Sequence, residues 1–543
     1  MRDDSAGSAP LRSLALGTLF PGFVGTDAPP ARLARLIEDG LGGIVLFARN
    51  VDQTRGDAGV AELTARLKAI RPDLLVAIDE EGGDVTRLDA ATGSAFPGSA
   101  ALGAVNDAEL TVDVAAALGQ RLRDCGIDIN FGPVADVDVD PRNPVVGVRA
   151  FGSDPTLVAD HVAAFVAGQQ SRGVAATVKH FPGHGATSED SHLTVPVVDA
   201  SLDLLDKREL VPFRAALAAG TKAVMTAHIR VPALDPDRPA TLSRAVITGL
   251  LRDRLGFDGL VITDGLDMHA ISRRVGHAEG GVQALLAGVD ALCIGGDSTH
   301  PELVEEMVAA IVDAAQSGRL PYERLAEAAG RVGKLGTWAR RSDSDRYGRD
   351  VVRVQPHRGR PTPRPALETE DSPVELAEVR AARRAVVGRG DIVLPFAPVV
   401  LELHEEPSLV TGPIPWAVGA PLADRLPGTV VVALRESGPA PDDVLAAYAD
   451  RPVVVSVRDI RRRPWQRAAV ATVRRLRPGA IVVDHGLSGE DGFAEPYVLA
   501  WGASRVTAAT AADLMVAAAS DPVHVASDSV AERTGTLDGR SRT

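Results

Sequence analysis

The feature that most constrains this chain is a rhythm of short apolar runs. They fall at residues 14–20, 44–47, 74–78, 127–131, 175–178, 223–225, 260–262 and 291–294, and they are rich in Val, Ile and Leu. Between most of them lie Ala-, Leu- and Arg-rich stretches of helical character, such as 31–39, 61–70, 107–124 and 157–172. Runs that are apolar throughout, without alternation, belong to strands buried on both faces, and strands separated by helices pair in parallel. Eight such units over roughly 300 residues predict an α/β fold built on a closed (β/α)8 barrel of the TIM type rather than an open sheet. We expect this barrel to occupy residues 11–335.

A second rhythm begins after a break. Between residues 340 and 365 fall eight arginines and four prolines, a composition that resists packing and reads as a solvated connector. We assign residues 336–371 to this basic, Pro-rich linker. Apolar runs then resume at 392–395, 430–433, 453–457, 480–483 and 497–501, with helical stretches at 374–387 and 465–476. They predict a smaller, sandwich-like α/β domain over 372–525. Residues 526–543 are expected to form a disordered tail.

Bulk properties narrow the function. The net charge of −14 over 543 residues argues against nucleic-acid or anionic-membrane partners. The apolar stretch at 14–24 is interrupted by Gly17, Pro21 and Gly22 and is too short to span a bilayer. Two cysteines, Cys125 and Cys293, both in apolar surroundings, do not make a disulfide framework. Together these predict a cytoplasmic protein. Aromatic residues make up only 4%, so a long polysaccharide cleft lined with stacking platforms is not expected, and a pocket for one terminal sugar fits better.

The apolar runs end in polar residues: Asp79-Glu80-Glu81, Lys179-His180, His228 and Thr263-Asp264. In a parallel barrel, the carboxyl ends of the strands line one mouth where reacting groups gather. Taken singly, Asp264 fits a strand-end cap, Asp79 a helix N-cap and Arg149 a structural ion pair. Their repeated position favours a shared site. The densest cluster runs Lys179-His180-Phe181-Pro182-Gly183-His184-Gly185 and on to Asp190-Ser191-His192. One reading of its histidines is a metal site, which draws ligands from several strands. No paired histidines follow the first strand, and Asp79 and Asp264 have glycines close by, so no metal and no cofactor are expected. The other reading is an acid/base dyad. Asp190, two residues from His192, would fix the imidazole tautomer and raise its basicity, letting His192 protonate a leaving oxygen and later deprotonate water. A carboxylate at Asp264 would attack an anomeric carbon, and double displacement retains configuration.

At this point the chain resembles glycoside hydrolase family 3, in its bacterial β-N-acetylglucosaminidase branch. The resemblance is carried in order by Gly43-Ile44-Val45-Leu46-Phe47, Asp79-Glu80-Glu81-Gly82-Gly83, Gly126-Ile127-Asp128-Ile129-Asn130-Phe131-Gly132-Pro133-Val134, Asn143-Pro144, Arg149-Ala150-Phe151-Gly152, the cluster from Lys179 to His192, Met225-Thr226-Ala227-His228, Pro239-Ala240-Thr241-Leu242-Ser243 and Thr263-Asp264-Gly265-Leu266-Asp267-Met268. It implies Asp264 as nucleophile and Asp190–His192 as the dyad. It implies that Asp79, Arg87, Arg149, Lys179 and His180 bind the terminal N-acetylglucosamine, with His228 a further pocket member and His184 shaping the loop. It implies an exo-acting β-N-acetylhexosaminidase that acts on a small carbohydrate, namely cell-wall muropeptide fragments. Asp84, where relatives commonly carry arginine, and Ala186, where the loop usually has a small polar or acidic residue, depart from the pattern and bear on fine specificity. The second domain resembles the family only loosely and is expected to be structural or to assist substrate entry. Two other functions remain open on the sequence: a phosphorylase using phosphate as acceptor, and a barrel that binds sugars without catalysis. The oligomeric state is not legible.

Overall fold

The computed structural model describes residues 5–188, 195–273, 275–295, 300–341, 375–405, 412, 415–458, 460–487 and 493–516. The first domain is built on β1 (Leu19–Pro21), β2 (Gly43–Leu46), β3 (Leu75–Ile78), β4 (Ile129–Asn130), β5 (Ala175–Phe181) and β6 (Ala223–Thr226). A two-stranded excursion, β7 (Arg230–Val231) and β8 (Asp235–Pro239), then precedes β9 (Leu260–Thr263) and β10 (Leu292–Ile294). Strands β2, β3, β4, β5, β6 and β9 form one parallel sheet in that order. Strand β10 joins β9 through the Ile262–Ala291 bridge and pairs in parallel with β1, which packs beside β2. The ring of eight parallel strands is the expected TIM-type barrel.

Alternate residues of each strand separate into two cores, as a period of two requires. Val45, Leu75, Ala77, Ala175, Ala223, Met225, Leu260, Ile262, Ala291 and Cys293 fill the interior with Phe20, Ile129 and Phe131. Ile44, Leu46, Val76, Ile78, Ala176, Val178, Val224, Val261, Leu292 and Ile294 face the surrounding helices. The helix Tyr322–Ala339 plugs the interior with Val332, Leu335 and Ala339. The linker expected from residue 336 therefore begins later, because the helix continues to Ala339. Most of that linker, and the tail at 526–543, lie outside the described residues.

A second correction concerns residues 14–20. The helix Ser5–Leu16 takes the first part of that run and β1 only the last. A short apolar run does not by itself distinguish buried helix from strand. Gly43 fits its place because a Cβ there would lie 2.2 Å from the Phe20 ring.

The second domain is a six-stranded sheet. Its strands are β11 (Val387–Arg389), β12 (Val399–Leu403), β13 (Val430–Leu434), β14 (Val453–Val457), β15 (Ile481–Asp484) and β16 (Tyr497–Leu499), in the spatial order β11-β16-β15-β14-β12-β13. All pairs are parallel except β11 with β16. Val399, Leu401 and Leu403 face one apolar layer, whereas Val400 faces the other. The run at 392–395 is not a strand. The strand is Val399–Leu403, whose Val-Val-Leu-Glu-Leu is buried almost throughout.

Candidate active site

Asp79, Lys179 and Asp264 occupy the inward register at the carboxyl ends of β3, β5 and β9. Each lies two or four residues beyond an interior-lining residue: Ala77, Ala175 and Ile262 respectively. The same alternation that packs the barrel therefore aims these side chains at its mouth. His180 follows Lys179 directly and would normally point the other way. Four residues of β5, Val178 to Phe181, lie opposite three of β6, Val224 to Thr226. This one-residue bulge re-aims the chain.

Lys179 sits between two carboxylates, with Nζ donating to Asp79 Oδ1 at 2.8 Å and lying 2.7 Å from Glu81 Oε1. Arg149 grips Glu81 with two bonds, Nε to Oε2 at 2.9 Å and Nη2 to Oε1 at 2.7 Å. Burial alone would push the Glu81 carboxyl up, but Arg149 and Lys179 outweigh it and hold it well below the usual carboxylate range. Burial likewise opposes charge on Lys179, yet Asp79 and Glu81 raise its pKa. Arg87 Nη2 lies 3.6 Å from the other oxygen of Asp79.

His180 is oriented from behind by Asp136, whose Oδ2 is 2.7 Å from its Nδ1, while Nε2 faces Arg149 Nη2 at 3.4 Å. Asp136 is fully buried. Burial works against its ionisation, and His180, His184 and a bond from the His184 amide hold its pKa below the ordinary value. His184 Nδ1 meets Thr187 Oγ1 at 2.8 Å, and burial holds its pKa down to about 4.

Asp264 Oδ1 accepts from the Gly265 amide at 2.8 Å. Its turn is held from below by His228, which is fully buried and has both ring nitrogens engaged, Nδ1 with Thr241 Oγ1 at 2.8 Å and Nε2 donating to Gly265 O at 2.9 Å. His228 was expected to line the pocket. Its ring nitrogens are engaged with Thr241 and with Gly265 of the Asp264 turn. The strand ends share one electrostatic space: the Cys293 thiol is raised well above its ordinary pKa by burial, and then by Asp267, Asp264 and Asp79 together. Asp190 and His192 lie outside the described residues. Among the described residues, no three His, Cys, Asp or Glu side chains gather as a metal site. A cavity of about 560 Å³ lined by Arg214, Lys222 and Phe257 lies at the opposite end of β6 and β9, away from these groups.

Sequence reasoning missed the roles of Glu81 and Asp136. Glu81 stands inside a quoted motif and carried no assignment. Asp136 lies two residues past another quoted motif.

A TIM-type barrel with acids and bases converging at the carboxyl ends of its strands has the layout of an enzyme active site, and comparison with known proteins makes that enzyme a glycoside hydrolase. The chain belongs to glycosyl hydrolase family 3, whose N-terminal domain model matches residues 27–335. It is 38% identical over 301 residues to the beta-hexosaminidase of Xylella fastidiosa (strain M23), covering 54% of this chain and 86% of that protein. It is 34% identical over 336 residues to beta-hexosaminidase A of Pseudoalteromonas piscicida, covering 58% of this chain and spanning 56% of that protein's length. The solved family 3 beta-N-acetylglucosaminidase from Paenibacillus sp. str. FPU-7 matches with a TM-score of 0.79 and 33% identity, over 93% of this chain and 96% of that one.

Proposed function

We propose that the protein is a retaining, exo-acting β-N-acetylhexosaminidase. Asp264 attacks the anomeric carbon, His192 paired with Asp190 protonates the leaving oxygen and then activates water, and Asp79, Arg87, Arg149, Lys179 and His180 hold the terminal N-acetylglucosamine. The observation that carries this reading is the shared inward register of Asp79, Lys179 and Asp264 at one mouth, with Glu81, Arg149 and His180 already ordered around them by ion pairs and hydrogen bonds. Preorganised charge of this kind binds a polar ligand without reorganising on contact. The names of the relatives support the sugar. Muropeptide fragments are the natural substrate we favour. The two buried free thiols, Cys125 and Cys293, support a reducing compartment, the cytoplasm.

The test is a panel of aryl N-acetylglucosaminides with graded leaving groups, run with and without phosphate, with the first-formed sugar read by NMR. β-N-acetylglucosamine released first is the expected product. A sugar 1-phosphate would make the protein a phosphorylase, and inertness on every substrate would leave a binding protein. His192→Ala is expected to lower the rate by about 10²- to 10⁴-fold on poor leaving groups and much less on activated ones. Equal losses on both would remove His192 from the acid role.

A further inference from the structure

Two arginines from one loop of the second domain reach across to the barrel mouth. That loop follows β14. Arg458 forms an ion pair with Asp84, which is 4% exposed, and Asp84 Oδ1 also accepts from the Ala503 amide at 2.6 Å. Four residues further on, Arg462 Nη1 donates to the Asn143 carbonyl at 2.5 Å. We propose that Arg458 and Arg462 are positioning residues for sugar recognition, each acting through a short chain of buried contacts that ends on a sugar-binding group of the barrel.

The first chain runs through Asp84. It sits at the tip of a tight turn closed by the Gly82–Val85 bridge and by the Glu81 amide donating to Val85 O at 3.0 Å. Glu81 at the base of this turn is the carboxylate that orders Arg149 and Lys179. A pull on Asp84 is a pull on Glu81. Gly502 beside Asp84 adopts φ +120°, a backbone conformation that L side chains rarely take.

The second chain runs through Asn143, 2% exposed and with its side chain committed. Oδ1 accepts from the Val145 and Val146 amides, both at 2.9 Å, and Nδ2 donates to His184 O at 2.9 Å and to Thr187 Oγ1 at 3.3 Å. The His184 amide in turn donates to Asp136, the carboxylate that orients His180. Arg462 thus fixes the backbone of the residue that staples this turn. A brace needs rigid links: Asp84, Asn143, His184 and Asp136 are buried and hydrogen-bonded, and the two arginines close each chain from a half-buried position. Asp84 takes a different meaning in this light: it is the barrel residue that grips the second domain.

The inference rests on the proposed sugar-binding roles, and the test separates the two. In the full-length protein, kcat and KM on an activated aryl N-acetylglucosaminide are measured for the parent, Arg462→Ala, Arg462→Lys and Arg458→Met, alongside thermal midpoints and the competitive inhibition constant of free N-acetylglucosamine. Arg462→Ala and Arg458→Met are each expected to raise KM and the inhibition constant by about 2- to 30-fold, the range found for residues acting through others, with kcat nearly kept. Arg462→Lys is expected to recover part of the loss. An unchanged KM and inhibition constant in folded Arg462→Ala overturns the inference. So does a fall in kcat that merely tracks lost folded protein. If Arg462→Ala does not fold, Arg462→Lys carries the same expectation at smaller size, and its unchanged KM overturns the inference equally. A parent inert on all N-acetylhexosaminides would instead sink the sugar assignment from which this inference starts.

Discussion

At the carboxyl ends of β3 and β5, Glu81 is buried to 5% exposure and takes two bonds from Arg149 and a close contact from Lys179. Just beyond the carboxyl end of β15 in the second domain, His485 is buried completely. Among the described residues neither of its ring nitrogens has a hydrogen-bond partner, and its ring lies edge-on to Trp416 at 5.4 Å. Burial, with Arg458 adding repulsion, holds its pKa down to about 3, so it is neutral. Both places are strand ends of a parallel α/β sheet, where ligands commonly bind. Glu81, Arg149 and Lys179 keep their charges because each has opposite partners that repay desolvation. Among the described residues the second domain places no such partners around His485, and that group stays uncharged. Buried charge matched by opposite partners therefore stands at the barrel mouth, while the histidine at the other strand end stays neutral.

The comparison is broken most sharply at the mouth. Asp264→Ala is expected to cut kcat/KM by a thousandfold or more, about 4 kcal/mol of barrier, with the folded state intact because Asp264 is only half-buried. Turnover on an activated aryl glycoside measures it; a loss under about tenfold would remove Asp264 as the attacking group.

Next in size is Glu81→Gln. It removes the anion from between Arg149 and Lys179 and leaves two buried cations short of a partner. Breaking a buried pair from one side costs about 3–5 kcal/mol. Denaturant unfolding should show that loss, and a change under about 1 kcal/mol would mean that the cluster is wetter than the structure implies.

How these groups were foreseen shows what a sequence exposes. The strand ends were legible because a period of two and an apolar run fix which residue is the first to emerge inward, so Asp79, Lys179 and Asp264 follow from Ala77, Ala175 and Ile262. His228 was legible as a strand-end residue, but whether its ring faces the pocket depends on Thr241, thirteen residues away on a separate loop. Asp84 stood out as unusual without revealing why, since its partner Arg458 is 374 residues distant. Asp136 gave no signal, because a buried carboxylate that orients a histidine is indistinguishable in sequence from a loop acid. The second domain was read less well. Its true second strand, Val399–Leu403, lies only a few residues past the run at 392–395, and neighbouring apolar runs do not say which one pairs.

His485→Phe sharpens the other half of the comparison. The native histidine titrates near 3 and an unfolded one near 6.5. Between those values the unfolded chain takes up a proton that the native state refuses, so stability falls as pH drops through this window. The variant lacks that proton and is expected to lose less. The stability difference between variant and parent should widen in the variant's favour from pH 6.5 downward and stay flat above it. His161 and His184, both held to about 4 by burial, remain in both proteins and cancel in the difference. Parallel pH profiles would show His485 to be solvated.

The smallest effect is expected where the domains meet in water. The helix Ala377–Ala385 carries Arg380, 2.7 Å from Asp113, and Arg384, 2.6 Å from Asp107. These are also arginine–aspartate pairs between the domains, yet their side chains are 30–57% exposed, against 24% for Arg458 and 4% for Asp84. An exposed pair gains little over its hydrated separated ions, so Arg384→Ala should cost no more than about 1 kcal/mol and should vanish into error at high salt. Asp107 also caps the following helix through the Leu110 amide, and it keeps that bond in the variant. A measured loss well above about 1 kcal/mol would mean that the Arg384–Asp107 pair is shielded from water and salt.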